Sequence, residues 1–148
     1  MLKINKKYIN KVVKNSLEED LFPGKDITTD LLIGNPVIKA KIICNQNSVI
    51  GGLEFAKTAF KILDKKTKFI PKVKEGDKIK KGKTIAIING KAKSILTSER
   101  VALNFLSLTS AVATKTRKFV DIVKRKNCKI CCTRKTLPNL RLLQKYAV

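Results

Sequence analysis

Apolar residues recur at helical spacing from Val101 through Phe105, Leu108 and Val112, and the period persists through Phe119, Val120 and Val123. A stripe of that length predicts one long α-helix buried along one side, and the preceding chain must supply the surface it packs against. Thr97 and Ser98 are both good N-cap residues, so the helix is expected to begin there, with Thr114–Thr116 as the place where it would break. Lys124-Arg125-Lys126-Asn127 suits the negative end of the helix dipole.

Ahead of that helix the pattern alternates. Asn5 to Leu21 predicts a helix on Ile9, Val12, Val13 and Leu17, ended by Pro23-Gly24, with Lys25 to Asp30 as a polar loop. Val37 to Cys44 is rich in β-branched residues and reads as a strand, which Val49-Ile50 would continue. Gly51-Gly52 reads as a turn and Leu53 to Asp64 as a short amphipathic helix. Phe69–Val73 and Thr84–Ile88 read as strands flanking the Glu75-Gly76-Asp77 turn. Asn89-Gly90 predicts a hairpin turn, with Ala92 to Leu96 pairing back. The expected class is α+β: a helix-flanked antiparallel sandwich over residues 1–97, resembling a barrel-sandwich hybrid. Val73 to Ile88 resembles half of a biotinyl- or lipoyl-type domain, but the Asn89-Gly90-Lys91 tip lacks the Met-Lys-Met that carrier domains modify. A similar turn occurs in the N-terminal domain of some phosphoribosyltransferases.

Beyond the long helix, Lys129 to Cys132 reads as a short strand with Ile130 and Cys132 on one buried side. Thr133 to Thr136 is a polar turn, and Pro138 fits an early position of a last helix carrying Leu140, Leu142, Leu143 and Tyr146. A single strand–helix step with no later parallel strand predicts that residues 98–148 begin a domain without finishing it; in the phosphoribosyltransferases that this stretch resembles, it would be the start of an α/β barrel. The other reading is that the last helix braces the sandwich.

The formal net charge is +22, from 33 basic and 11 acidic residues, which favours anionic partners. Abundant Lys, Ile and Asn make much of this a compositional background. Only five of the cations are Arg, at positions 100, 117, 125, 134 and 141, and none precedes Arg100. Arg117 and Arg125 read as solvated helix residues. Where Lys is used so freely, the remaining Arg residues point to sites that need a planar, two-pronged donor. From Arg100 onward twelve basic residues face one acid, Asp121. The four cysteines, Cys44, Cys128, Cys131 and Cys132, form no spaced framework and are expected as reduced thiols. One C-x-x-C without any His makes a poor zinc site. No apolar run reaches the roughly 20 residues of a membrane helix, and Met1 to Asn15 lacks a signal-peptide pattern, so a cytoplasmic location is expected.

Two places gather chemistry. Arg100, expected in the first turn of the long helix, would sit where the dipole disfavours a cation unless an anion binds there too. Pairing with Glu99 or another surface acid would explain it equally well. Thr133-Arg134-Lys135-Thr136, expected at a strand end leading to a helix, places a bidentate donor and a point charge between two hydroxyls. This suits a dianion, against the alternative of a solvated basic turn.

The order of several segments adds a family to this reading. Thr97-Ser98-Glu99-Arg100-Val101-Ala102-Leu103-Asn104-Phe105-Leu106, then Ser110-Ala111-Val112-Ala113-Thr114, then Cys132-Thr133-Arg134-Lys135-Thr136-Leu137-Pro138-Asn139-Leu140-Arg141 and Lys145-Tyr146-Ala147-Val148 resemble the quinolinate phosphoribosyltransferase family. Glu19-Asp20, Gly24 to Asp30 and Ile50-Gly51-Gly52-Leu53-Glu54 resemble its N-terminal segments, although Lys25 stands where Gly is usual. The resemblance implies a pentosyltransferase of NAD biosynthesis that joins quinolinate to phosphoribosyl pyrophosphate, giving nicotinate mononucleotide, carbon dioxide and pyrophosphate. It implies magnesium as cofactor, with ligands outside this sequence, and a homodimer or higher oligomer with a shared site. It places Thr133, Arg134 and Lys135 in the anion pocket and Arg100 in the neighbouring subunit's site. The family's later His/Arg segment, pocket lysine and acidic residues have no counterpart here, so the chain alone is expected to show little turnover. A molybdenum-associated homologue of similar fold, a remnant that dimerises with an intact copy, and a basic nucleic-acid-binding module are the alternatives.

Overall fold

The computed structural model describes residues 4–124 and 127–148. Arg125, and with it half of the basic run expected to end the long helix, lies outside the described residues.

Helix α1 (Lys6–Asp20) starts where the Asn5 side chain accepts the Tyr8 amide at 2.8 Å. It buries Ile9, Val13 and Leu17, one residue per turn, against α3 (Leu53–Leu63) and α4 (Ala92–Val123). The stretch expected as a polar loop contains helix α2 (Ile27–Leu32). Asp26 caps it by accepting the Thr29 amide at 3.1 Å, and Thr29 itself is buried. Asp and Thr suit turns and caps alike, and here the cap wins.

Strand β1 (Val37–Ile43) pairs antiparallel with β5 (Thr84–Lys91), and β3 (Lys68–Pro71) lies on the other side of β5. As the central strand, β5 buries Ile85, Ala86 and Ile88. Strands β2 (Ser48–Val49) and β4 (Lys78–Ile79) form a separate two-stranded sheet, so Val49 does not extend the first one.

Asn89-Gly90 is not a hairpin turn. Both residues continue β5 opposite Lys39 and Ile38. Gly90 is explained by proximity instead: a Cβ there would lie 2.6 Å from Thr67 Oγ1. Ala92 to Leu96 does not pair back but forms the first turns of α4, which starts five residues before Thr97. The buried stripe begins at Ala92 and Ile95 and runs through Val101, Ala102, Phe105 and Leu106 to Thr109. Ser98 lies inside it, with its hydroxyl donating to the Ser94 carbonyl at 2.6 Å rather than capping. The helix passes Thr114–Thr116 without a break. Its last turns are exposed at Phe119 and Ile122, while Arg117 pairs with Asp121 at 3.9 Å as a solvated helix residue does.

Lys129 to Cys132 is not a strand. No described residue pairs with it, and Cys128, Cys131 and Cys132 are exposed, so no buried side exists there. Helix α5 (Arg141–Ala147) begins three residues after Pro138 and packs on α4 with Leu143 fully buried in the common core. The contact of α5 with the core elements is compatible with its also being the start of a further domain. The architecture is α+β with small antiparallel sheets, and the described residues form no closed barrel.

Candidate functional site

Helices α3 and α4 approach each other closely. Phe55 and Phe105 stack with centroids 5.2 Å apart. Gly51 and Gly52 permit that approach, because a Cβ on Gly51 would lie 2.8 Å from Thr109 Cγ2 and one on Gly52 would lie 2.9 Å from the Phe105 carbonyl. Gly52 is the N-cap of α3, at φ 92, and has no side chain to cap with. Glu75, from the turn before β4, does so instead: Oε1 accepts the Leu53 amide at 2.7 Å and Oε2 accepts the Gly52 amide at 3.0 Å. Burial pushes this carboxyl above its ordinary range, opposed by those amides and by the Tyr146 hydroxyl. Tyr146 in turn is pushed up to about 12, first by burial and then by the Glu75 charge.

Arg100 is the ninth residue of α4 rather than a member of its first turn, so the dipole argument for a bound anion does not apply. Its guanidinium pairs with Asp20, at the end of α1, at 2.9 Å. The surface-acid alternative therefore describes its contact within the chain. Asp20 raises the Arg100 pKa further, chiefly by the hydrogen bond, while Asp26 adds a weaker Coulombic contribution. The Arg100 side chain remains 72% exposed and that of Asp20 only 17%. One end of this ion pair is thus anchored and the other faces solvent.

Thr133, Arg134 and Lys135 are exposed, in a turn not preceded by a strand. The Thr133 hydroxyl accepts the Lys135 amide at 3.2 Å, and the Thr136 amide donates to the Arg134 carbonyl at 3.0 Å. Among the described residues neither Arg134 nor Lys135 is in an ion pair. α5 holds the turn from below: the Leu137 amide donates to Gln144 Oε1 at 2.8 Å, and Arg141 Nε donates to the Thr136 hydroxyl at 3.3 Å.

The structure does not gather the predicted cations into one pocket. Arg100 lines a cavity of about 190 Å³ with Asp20, Lys25, Asp26 and Thr97, whose lining includes none of Thr133, Arg134 and Lys135. A larger cavity of about 410 Å³ is lined by Glu19, Asp20, Asn104, Leu108 and Leu140, and by none of Arg100, Thr133, Arg134 and Lys135. Sequence reasoning missed Glu75 and Tyr146. The signal for Glu75 was a Gly-Gly step into a helix with no capping side chain of its own. Among the described residues no group of three or more His, Cys, Asp or Glu is placed to hold a metal ion. No described helix is long and apolar enough to cross a membrane.

The family model for the quinolinate phosphoribosyl transferase N-terminal domain matches residues 26–110, and that for the C-terminal domain matches residues 112–148. The chain is 36% identical over 145 residues to a protein of Bacillus subtilis (strain 168) named probable nicotinate-nucleotide pyrophosphorylase (carboxylating), covering 98% of this chain and 50% of that one. It is 34% identical over 140 residues to quinolinate phosphoribosyltransferase (decarboxylating) 1 of Nicotiana glauca, covering 93% and 39%. The solved nicotinate-nucleotide pyrophosphorylase of Francisella tularensis superimposes with a TM-score of 0.93 at 34% identity, over 98% of this chain and 51% of that one. The chain thus spans about half of the Bacillus subtilis and Francisella tularensis proteins and 39% of the Nicotiana glauca one.

Proposed function

The chain belongs to the quinolinate phosphoribosyltransferase family, and from that premise we propose that it supplies the anion-binding turn of an enzyme converting quinolinate and phosphoribosyl pyrophosphate to nicotinate mononucleotide, carbon dioxide and pyrophosphate. In that reaction the pyridine nitrogen bonds to the ribose carbon as pyrophosphate leaves with the bonding electrons. The carboxylate beside the nitrogen departs as carbon dioxide, leaving its bonding pair on the ring carbon, which takes up a proton from solvent. Every species bound is an anion, so fixed positive charge is what the protein must provide.

The observation that carries the reading is the exposed Arg134-Lys135 pair, held by α5 in a fixed turn and neutralised by no acid among the described residues. Arg134 suits a carboxylate by bidentate contact, Lys135 a second oxygen as a point charge, and Thr133 adds a hydroxyl. Arg100 fits a different task. Asp20 orients its guanidinium without covering it, so it is presented outward, as reaching into a second copy's site would need. The proposed assembly is accordingly a homodimer or higher oligomer in which Arg100 of one copy and Arg134 and Lys135 of another meet the same dianion.

Titration of the purified chain with quinolinate and with pyrophosphate, followed by calorimetry, tests this. Arg134→Ala or Lys135→Ala should each weaken binding by about 1.5–3 kcal/mol, roughly ten- to a hundredfold. Affinities that both substitutions leave unmoved would refute the role of the turn.

A further inference from the structure

Three of the four thiols, Cys128, Cys131 and Cys132, crowd together immediately ahead of the Thr133–Lys135 turn. All three are free and exposed, whereas Cys44 is buried and its thiol donates to the Gln46 carbonyl at 2.8 Å. The segment that carries them belongs to no helix or strand. Its charge has one sign: no acidic side chain follows Asp121, while eight Lys and Arg do. Among the described residues neither Arg134 nor Lys135 has an ion-pair partner. Cys132 is two residues from Arg134, so their Cα atoms lie at most about 7 Å apart, inside the roughly 8 Å over which charge acts in physiological salt. Cys128 is six residues from Arg134, a reach of up to roughly 20 Å.

We propose that Cys132 is a thiol–disulfide exchange site selective for anionic disulfides, which the Arg134 and Lys135 charges steer to its sulfur. The ligand class is a small disulfide bearing carboxylates, of which oxidised glutathione is one. The step balances as an exchange. The Cys132 thiolate attacks one sulfur of the disulfide, the S–S bond breaks, and the other half leaves as a thiolate that takes up the proton Cys132 released. A mixed disulfide remains on Cys132, and no further oxidant is consumed. Two features select this sulfur. Attack needs access, which an exposed residue outside any element allows and buried Cys44 does not. A guanidinium and an ammonium group without carboxylate partners also concentrate anions about them. The half bound to Cys132 then sets its carboxylates against the cations that the turn offers to a dianion, so modification and pyrophosphate binding exclude one another. The steering rests on the charge of the turn alone, and the exclusion rests on the anion-binding role proposed for it.

The test uses the folded chain, with Cys44 left in place as a buried thiol. Cys128→Ser with Cys131→Ser leaves Cys132 as the accessible sulfur, and Cys131→Ser with Cys132→Ser leaves Cys128. Each variant is reacted with dithiobis(nitrobenzoate), a dianionic disulfide, and with uncharged dithiodipyridine, and the ratio of the two rates is read. Adding Arg134→Ala and Lys135→Ala should lower that ratio roughly tenfold at Cys132 and about twofold or less at Cys128. Raised salt should lower it at Cys132 while Arg134 and Lys135 are present. Oxidised glutathione should modify the first variant faster than the second, with the adduct on Cys132 by mass spectrometry. A ratio at Cys132 that neither the substitutions nor salt move, or one that falls equally at Cys128, would overturn the proposal. Pyrophosphate at constant ionic strength should slow the anionic reagent at Cys132. If the ratio behaves as expected and pyrophosphate protects nothing, the exchange site stands and the anion-site reading falls.

Discussion

Gly52→Ala tests the close approach that sets up both Glu75 and α4. Two costs combine at this position. Its φ is 92, where an L-residue is strained by roughly 1–2 kcal/mol. An added Cβ would also lie 2.9 Å from the Phe105 carbonyl and 3.0 Å from Thr109 Oγ1. Overpacking against a helix backbone adds about 1–3 kcal/mol. Alanine restricts the unfolded chain and returns about 0.4–1 kcal/mol. The net expectation is a loss of about 2–4 kcal/mol. The molecule contains its own controls. Gly76 (φ 82) and Gly82 (φ 85) share the positive φ, yet a Cβ on either meets nothing within 4 Å, so alanine there isolates the strain at about 1 kcal/mol or less. Gly51 has an ordinary φ but its Cβ would lie 2.8 Å from Thr109 Cγ2, which isolates the contact. Urea unfolding of all four variants by far-ultraviolet circular dichroism gives the comparison. If Gly52→Ala costs no more than Gly76→Ala, α3 and α4 do not approach as described.

Leu143→Ala should cost about 2–5 kcal/mol, since Leu143 is the one fully buried side chain of α5, and limited proteolysis should then cut first between residues 127 and 141. A spectrophotometric titration should find the Tyr8 phenol raised by burial and the Tyr146 phenol ionising at about 12. Because the folded state holds the Tyr146 proton more tightly than the unfolded state, its contribution to stability is complete below pH 10.0 and is lost as pH rises towards about 12. Tyr146→Phe should flatten that alkaline limb. Asp26 runs the other way: Thr29 holds its carboxyl below the ordinary 3.8, so the α2 cap contributes above that value and fades as pH falls through the lowered one. Asp26→Ala should remove the acid limb and expose the Thr29 amide to faster exchange.

The legible part of the fold was the part with a strong period. α1, α3, β1 and the buried stripe of α4 follow directly from apolar spacing, because burial on one side of a helix or strand leaves a mark every few residues. The misreadings arose where one residue type serves two ends. Asn89-Gly90 has the chemistry of a tight turn, yet Gly90 is small because Thr67 lies against it, a long-range contact that local sequence does not display. Reading a turn there made Ala92–Leu96 a strand, moved the start of α4 to Thr97, and placed Arg100 at a helix terminus it does not occupy. Ser98 looked like a cap and is a buried hydroxyl bonded within the helix. At the candidate site, the Thr133–Lys135 turn was visible as a charge and hydroxyl pattern. Its support was not, because the bonds from the Leu137 amide to Gln144 and from Arg141 to Thr136 exist only once α5 is docked beside the turn.

Complementation between two defective copies reaches the central claim most directly. Arg100→Ala and Arg134→Ala chains, each expected to bind quinolinate poorly alone, are mixed, allowed to exchange partners, and titrated again. A site assembled from Arg100 of one copy and Arg134 of the other should reappear in the mixture, at up to one intact site per mixed pair. A mixture that binds no better than its separate components would contradict the shared dianion site.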